Sequence, residues 1–216
     1  MSRSEARLSR ATDPPAAPPR TKAAQREATT AALLDAARAL FADQGYAAVG
    51  TEEIVQRAGV TRGALYHHFR GGKEELFRAV LVQISAETTR QITGAALAED
   101  DPWDALLAGI DAFLDACARR DVQRIVLVDG PSVLGWDVWR AIDAQYSHGL
   151  IEGTLQRAME NGQLLVQPTD ALAQVLLGAL HEAAMVVARA DDPTAARAEM
   201  GAMVRRLLEG LRGPSL

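Results

Sequence analysis

The fold of this chain is constrained most by residues 51 to 69, which read TEEIVQRAGVTRGALYHHF. Two short helical segments lie on either side of Gly59, a residue type for which a positive φ is easily adopted. Each segment begins at a threonine, Thr51 and Thr61, whose hydroxyl can cap unpaired backbone amides. Two short helices joined by a sharp glycine turn predict a helix-turn-helix.

The second helical segment has an inward and an outward face. Leu65 and Phe69, four residues apart, share the inward face. The outward face combines cationic, phenolic and imidazole side chains with a glycine that allows close approach, and such a strip suits a DNA groove and its phosphates. Its members are Arg62, Gly63, Tyr66 and His67.

This segment resembles the DNA-binding domain of the tetracycline-repressor (TetR) family. The resemblance runs from about Arg26 to Leu81 and implies that Tyr66 and His68 touch the DNA backbone. The alternative is that Tyr66 caps the domain core and His68 packs against the fourth helix. One departure is the link Arg70-Gly71-Gly72, which is one residue longer than the family's commonest spacing. The matching pattern is Thr51, Ile54, Ala58-Gly59-Val60, Gly63, Leu65-Tyr66, His68-Phe69 and Lys73-Glu74-Glu75-Leu76.

Three helix starts add candidate phosphate contacts. A cation at a helix start opposes the helix dipole unless an anion is bound there, so we expect Lys73 to meet a phosphate. Thr51 can offer its hydroxyl and neighbouring amides to the DNA backbone, although a capping role explains it almost as well. Thr61 stands at the start of the recognition helix and joins this set.

The net charge of −5 is divided unevenly along the chain. Residues 1 to 82 carry 12 Lys and Arg against 9 Asp and Glu, whereas residues 83 to 216 carry 11 against 19. A head of net charge +3 can meet phosphates, and a body of −8 repels them. The alternative explanation is chance combined with a basic N-terminal tail.

Composition narrows the class of protein. The length of 216 residues allows one large or two small domains. A single cysteine, Cys117, permits no internal disulfide and suits a reducing compartment. The first residues lack the apolar segment of a secretory signal, and no later apolar run is expected to approach the ~20 residues that span a bilayer. We therefore expect a cytoplasmic protein with no membrane contact.

Helical periodicity predicts an all-α protein in three parts. Residues 1 to 21 are expected to form a disordered arm, which either lays arginines on DNA or is merely solvated. Residues 22 to 72 are expected to form a three-helix DNA-binding domain, and residues 73 to 216 a helical regulatory and dimerisation domain. Helices are expected at about 22 to 44, from 73, after Asp101-Pro102, and at 121 to 129, 135 to 160, 170 to 189 and 194 to 211, with a break at Gly130-Pro131.

The last two helices carry apolar stripes that predict a homodimer interface. The alternative is that these stripes are buried within one monomer. A four-helix seam between subunits is also what the family resemblance implies, and a two-fold protein suits a two-fold operator. The residues expected at the seam are Leu172, Val175, Leu176, Ala179, Ala183, Val204, Leu207, Leu208 and Leu211.

Large amphipathic side chains in the middle of the body predict a pocket for an unidentified small-molecule effector. Aromatic residues at helical spacing are usually core, so the alternative is that they only fill space. No metal site or cofactor is expected, because His67 and His68 point apart and the other candidates lack a ligand spacing. The pocket candidates are Trp103, Phe113, Cys117, Trp136, Trp139, Tyr146 and His181.

Together these patterns predict a dimeric transcription regulator that represses by binding a palindromic double-stranded operator. An effector would release the DNA by preferring a conformation that fits it poorly, with the fourth helix as the lever. One alternative is a helical small-molecule binding or sensing protein without DNA function. An enzyme in a helical cavity is a third hypothesis, but the sequence has no P-loop, dinucleotide-binding glycine motif or nucleophile elbow.

Overall fold

The computed structural model describes residues 21–212. All of the predicted N-terminal arm except Thr21 lies outside the described residues. The prediction of an all-α fold is confirmed. The described helices are α1 (Lys22–Gln44), α2 (Thr51–Ala58), α3 (Arg62–His68), α4 (Gly72–Leu97), α5 (Pro102–Cys117), a π-helix (Val122–Asp129), α6 (Gly130–Leu134), α7 (Trp136–Glu160), α8 (Thr169–Arg189) and α9 (Pro193–Glu209).

Side-chain caps explain where two of the long helices begin. Thr21 Oγ1 accepts a hydrogen bond of 3.2 Å from the Ala24 amide at the start of α1. Asp101 Oδ1 accepts bonds of 2.9 and 3.1 Å from the amides of Trp103 and Asp104 at the start of α5. Each cap pairs amides that have no partner within the helix. The predicted starts of α1 and α5 are confirmed.

The segment Val122–Asp129 is a π-helix, a type that the sequence pattern did not distinguish from an α-helix. Asp121 Oδ1 accepts a hydrogen bond of 2.9 Å from the Val122 amide at its start. Side chains on the π-helix contact both the N-terminal helices and the interior of the body, as described below. Rare π-helical turns occur often at functional sites.

The break predicted at Gly130-Pro131 is wrong, because the chain continues there into α6. Proline is compatible with the first turn of a helix, where its missing N–H would have no partner. Gly130 is buried against Trp139, and a Cβ on it would lie 2.8 Å from the indole Cδ1. The turn falls instead at Gly135, whose φ is +79°.

The apolar core consists of two clusters. The proximal cluster joins α1 to α4 with the π-helix, and the distal cluster joins α5, α7, α8 and α9. The proximal cluster contains residues from both sides of the predicted domain boundary between residues 72 and 73. The DNA-binding domain (the head) and the regulatory domain (the body) therefore share a core. The boundary itself stays a prediction. Proximal members include Leu33, Phe41, Ile54, Leu65, Phe77, Leu81 and Ile125; distal members include Leu106, Leu114, Leu155, Leu180, Val204 and Leu208.

One helix, α8, is long and apolar enough by length and composition alone to cross a bilayer. Its apolar character has a local explanation, because Ala173, Leu177, Leu180 and Ala184 are buried inside the body. The core helix of a globular domain passes the same test of composition.

Candidate nucleic-acid interface and ligand cavity

Helices α2 and α3 form the predicted helix-turn-helix. Gly59 ends α2 in the left-handed conformation with φ of +66°, which favours glycine. Thr61 caps α3, its Oγ1 accepting a 3.2 Å hydrogen bond from the Ala64 amide. Leu65 is fully buried and Phe69 nearly so, as predicted. This packing fixes which face of α3 points to solvent.

The outward face of α3 presents Tyr66 and Arg62. Tyr66 is 41% exposed, and one edge of its ring faces the buried Gly72. The Arg62 guanidinium lies 5.7 Å from the centroid of that ring and 2.8 Å from Glu52 on α2. Exposed ion pairs contribute roughly 0–1 kcal/mol to stability, so Arg62 can leave Glu52 and bind DNA with little loss of free energy. Both side chains are available to a partner.

Gly63 and His67 complete this exposed strip. A Cβ on Gly63 would meet only Thr61 Oγ1, at 3.8 Å. The protein's own packing therefore does not require glycine here, whereas close approach of another surface would. We call Arg62, Gly63, Tyr66 and His67 the reading strip.

His68 is hydrogen-bonded to the first helix, a contact that neither sequence interpretation included. Its Nδ1 lies 2.9 Å from Thr30 Oγ1 on α1, and its contact with DNA stays a prediction. Burial lowers the pKa of His68, and His67 and Arg26 lower it further. The hydrogen bond to Thr30 holds the recognition helix against α1.

Lys73 is also turned inward, which corrects the expectation that its charge stands free at a helix start. Helix α4 begins one residue earlier, at Gly72. The ammonium donates 2.8 Å hydrogen bonds to the carbonyls of Tyr46 and Val49 and lies 4.0 Å from the Tyr46 ring centroid. Burial lowers the pKa of Lys73. Two of its three N–H donors are therefore used in hydrogen bonds that hold the loop between α1 and α2 in place.

Thr51 is the first residue of α2 and does not cap it, contrary to the expectation. The capping position is Gly50, which supplies no side-chain hydrogen bond. The first amides of α2 therefore lack a side-chain cap, and such amides bind anions readily. Glu52 and Glu53 stand in the same turn and counteract that tendency in part.

The sequence interpretation passed over Arg57 and Arg70, two exposed cations beside the helix-turn-helix. Arg57 lies in the last turn of α2, and Arg70 directly follows the end of α3. Their only signal in the sequence was charge, which is common on helix surfaces. They are further candidates for phosphate contact.

A charged cluster joins α1 to the body. Arg38 donates to Asp121 Oδ2 at 3.0 and 2.6 Å from Nε and Nη2, and to Glu87 Oε2 at 2.8 Å. Burial raises the pKa of Asp121, but hydrogen bonds with Arg119 and Arg38 outweigh it and hold that pKa below the ordinary value. Asp121 directly precedes the π-helix, so the cluster fastens one end of that segment to the head.

The other end of the π-helix is fastened to the loop after α1. Asp129 Oδ2 accepts a 2.7 Å hydrogen bond from the Tyr46 amide and lies 3.3 Å from Arg124 Nε. Beside the first end of the π-helix, next to Asp121, Arg120 donates a 3.2 Å hydrogen bond to the carbonyl of Asp43. The π-helix therefore contacts the head at both of its ends.

The interior of the body contains a cavity between the two core clusters. Its apolar part and its more polar part each have a cavity volume of about 40 Å³ and are partly open to solvent. The two parts share lining residues, so they are adjoining regions of one space. The shared residues are Thr89, Ile92, Phe113, Tyr146 and Ser147.

The structure brings five of the seven predicted pocket residues to this cavity, namely Phe113, Cys117, Trp139, Tyr146 and His181. Trp103 does not line it, because the indole is buried in the distal cluster under the Arg212 guanidinium, 4.8 Å from its ring centroid. Trp136 is 62% exposed and lines a separate, more open cleft that shares Leu127, Trp139 and His181 with the polar part of the cavity. Ring size alone made both tryptophans candidates, and ring size does not reveal the face of a helix.

Sequence reasoning missed the short polar residues that line the cavity. Helix α4 contributes Ser85, Thr88 and Thr89, and α7 contributes Asp143 and Ser147. A signal was present in α4, where small hydroxyl residues follow an otherwise apolar stripe. Burial raises the pKa of the Cys117 thiol to about 12, with Asp143 adding to the rise, so this lining thiol stays protonated and unreactive.

The predicted dimer seam separates into buried and exposed residues. Leu176, Ala183, Val204 and Leu208 belong to the distal core, so for them the alternative of burial within one protomer holds. Leu172 and Leu211 are partly buried against the same cluster, and Ala179 is half-buried. Large apolar side chains remain exposed on the outer faces of α8 and α9: Val175, Val186, Met203 and Leu207. We call these four the outer apolar face.

An exposed recognition helix on a helical body with an internal cavity is the architecture of a helix-turn-helix regulator. Residues 33–80 match the family of bacterial regulatory proteins, tetR family, and residues 103–211 match the tetracyclin repressor-like C-terminal domain. The chain therefore belongs to the TetR family of transcriptional regulators.

Individual relatives agree with this assignment. A TetR-family transcriptional regulator from Pectobacterium atrosepticum is 32% identical, with a TM-score of 0.79 over 91% of this chain and 100% of that one. The transposon Tn10 TetC protein of Escherichia coli is 28% identical over 155 residues, 70% of this chain and 76% of that protein. The A-factor receptor protein of Streptomyces griseus is 26% identical over 204 residues, 90% and 68% of the two chains.

Proposed function

We propose that this chain is a homodimeric repressor that binds a palindromic operator and releases it when a small molecule occupies the cavity. The observation that carries the proposal is the reading strip, which lies exposed on a recognition helix whose opposite face is locked into the core. The protein would act in the cytoplasm as a DNA-binding regulator without enzymatic activity.

The proposed DNA contacts are the reading strip, Thr51 and Thr61. Arg62 and Tyr66 can reach base edges or phosphates from the start and middle of α3. Thr51 stands among the uncapped amides of α2, where a phosphate oxygen can bind. His68 and Lys73 support the head from within, and we assign them to positioning.

The outer apolar face supports dimerisation. Val175 is 71% exposed and Leu207 59% exposed, on two helices whose inner faces are already buried. Gly178 on α8 has open space where a Cβ would stand, so a partner helix can approach closely there. A two-fold dimer places two recognition helices in successive grooves of one duplex, about 34 Å apart or somewhat more.

The route from cavity to DNA would use two elements. Helix α4 lines the cavity through Thr88 and Ile92 and begins next to the recognition helix. The π-helix lines it through Val122 and Val126 and is bonded to α1 and the following loop at its ends. A ligand shifts the equilibrium only by its difference in affinity for two conformations. One relative is named as a receptor for A-factor, which supports a ligand response here.

Selection from a pool of random duplexes tests this function and identifies the operator in the same experiment. Protein at 50 mM salt should enrich an inverted repeat, because each subunit reads one half-site. The Tyr66→Ala variant should enrich nothing. Enrichment of a single unrepeated site would contradict the palindrome, and no enrichment by the wild type would favour a ligand-binding protein without DNA function.

A further inference from the structure

The cavity has two chemically different ends. The apolar end is walled by aliphatic residues such as Leu106, Ile110 and Leu177. The opposite end includes Thr88, Asp143 and His181 among other polar side chains. A ligand that fills the cavity must therefore be largely apolar with one polar terminus.

Hydrogen-bond roles at the polar end follow from Arg140. Its Nη1 lies 3.2 Å from His181 Nδ1. A guanidinium has only donors, so Nδ1 is the acceptor and the ring proton is on Nε2. Nε2 lies 3.1 Å from Asp143 Oδ1. The imidazole thus faces one carboxylate oxygen, and the other, Oδ2, is not engaged by the imidazole.

Two buried acceptors at this end lack a hydrogen-bond partner among the described residues. They are Asp143 Oδ2 and Thr88 Oγ1, and both residues line the same part of the cavity. Arg140 Nη1 is 3.8 Å from Asp143 Oδ2, which compensates charge but is too long for a hydrogen bond. Buried polar groups are nearly always paired in folded proteins. A ligand hydroxyl that donates a hydrogen bond to Asp143 Oδ2 and accepts one from the Thr88 hydroxyl would pair both groups.

The charge at this end selects against anions. Asp143 is the acidic group on the cavity wall, and Arg140 already faces both it and His181. An anionic ligand would meet the carboxylate at close range in a poorly hydrated space, where like charges repel strongly. A carboxylate or phosphate head group therefore fits poorly, whereas an O–H or N–H donor fits well.

We propose that the effector is an apolar molecule without negative charge that ends in an O–H or N–H donor bound between Asp143 and Thr88. This inference rests on the proposed function in taking the cavity as the effector site. Its apolar body lies toward Ile110 and Leu177. The unpaired carboxylate oxygen of Asp143 requires a donor on the ligand, and the unpaired hydroxyl of Thr88 adds a second hydrogen bond.

Matched probes test the head group. Decan-1-ol, decyl methyl ether and decanoate share one body, and 2-naphthol, 2-methoxynaphthalene and 2-naphthoate share another. Calorimetric titration of the full chain should give binding by at least one alcohol or phenol that is about 10-fold or more tighter than that of its ether. Its carboxylate partner should bind no tighter than the ether. Equal or tighter binding by the ether or the carboxylate, or no binding by any probe, would overturn the proposal.

Variants of Thr88 and Asp143 test where the hydrogen-bond donor of the ligand binds. Thr88→Val keeps the shape of the side chain and removes the hydroxyl, so it should weaken the alcohol severalfold and leave the ether unchanged. Asp143→Ala should abolish the preference for alcohol over ether, with ether binding as the check that the cavity is intact. Thr93→Val makes the same change on α4 outside the cavity lining and should alter neither. An unchanged alcohol preference in both cavity variants would contradict the assignment.

The same probes, titrated into the protein–DNA complex, separate this inference from the proposed function. Donor-dependent binding without DNA release would leave the ligand chemistry standing and contradict effector control. Release by the carboxylate alone would support effector control and overturn the donor head group.

Discussion

The head and the body of this protein use their apolar residues differently. In the head, residues such as Phe41, Ile54 and Leu65 converge on one cluster that fixes the recognition helix. In the body, the core divides between two clusters, and the cavity lies where they separate. A closely packed core holds a surface in one geometry. A divided core leaves space whose occupation can change the relative stability of conformations.

The head and the body contact each other through a shared apolar core and, in addition, through charged groups. The Arg38 cluster and the Tyr46 amide fasten the head to the two ends of the π-helix. Such bonds are directional and depend on geometry, so a small displacement of the π-helix is felt at α1. Under the proposed function, the reading strip is held rigidly and control enters through its attachment to the body.

The largest expected effect is the difference between substituting a buried and an exposed leucine of α9. Leu208 is 1% exposed and Leu207 is 59% exposed. Leu208→Glu places an unpaired carboxylate in the distal core, which costs several kcal/mol and should unfold the body. Leu207→Glu should stay folded, become monomeric by light scattering and bind DNA weakly. A Leu207→Glu variant that dimerises like the wild type would show that the interface lies elsewhere.

The next effect tests the reading strip. Tyr66→Ala should weaken operator binding at least about 30-fold, because a dimer loses two contacts of about 1–3 kcal/mol each. The melting temperature should change little, since the ring is half-exposed. Tyr66→Phe separates the hydroxyl from the ring face. A large fall in melting temperature for Tyr66→Ala would instead assign this residue to the core of the head.

The attachment between head and body should show a smaller effect. Arg38→Met removes three hydrogen bonds and leaves the carboxylates of Asp121 and Glu87 without this partner. We expect a loss of about 1–3 kcal/mol in unfolding free energy and a weaker effector response. Urea unfolding of Arg38→Met, Asp121→Asn and the double variant measures their coupling. Strict additivity would show that the pair contributes no coupling.

The pH dependence provides a control for this cluster. Burial raises the pKa of Asp121 and of Glu87, but hydrogen bonds that include Arg38 outweigh it, so both lie below their ordinary values. Lowered folded-state values mean that the stabilisation is complete above the unfolded values of about 4 and is lost as pH falls through the folded ones. The difference between wild type and Arg38→Met should therefore be constant from about pH 6 to 8 and shrink below about pH 4.

The weakest effect on stability is expected at Gly63. A methyl group there meets no close neighbour, and alanine favours a helix over glycine by about 0.5–1 kcal/mol. Gly63→Ala should leave the unfolding free energy unchanged or slightly higher, yet weaken operator binding if DNA approaches the backbone closely. Full operator affinity would show that α3 meets the groove elsewhere.

Local patterns predicted much of this fold. The bounds of α1, the start of α5 and the helix-turn-helix all follow from caps, periodicity and one glycine turn. Contacts between distant residues could not be predicted. His68 meets Thr30 and Arg38 meets Asp121 because of how helices pack, which no local pattern records.

The candidate sites also differ in how much of each can be predicted from local sequence. The reading strip is a local feature of one short helix, and its four residues are exposed as predicted, while their contact with DNA stays a prediction. The cavity and the dimer face depend on which side of a long helix faces which neighbour. The apolar stripe of α9 includes both Leu207 and Leu208. Only the packing of the folded chain shows that Leu208 is buried and Leu207 is exposed.

The proposed function depends above all on binding of operator DNA by the exposed face of α3. This binding is tested most directly by fluorescence anisotropy of a labelled operator, or of DNA from the gene's upstream region, at 50 and 200 mM salt. Release of counterions predicts an affinity that falls about 1,000-fold or more for ~6 phosphate contacts, with much weaker binding to scrambled DNA. An affinity that is independent of salt, or equal for operator and scrambled duplex, would contradict the proposed function.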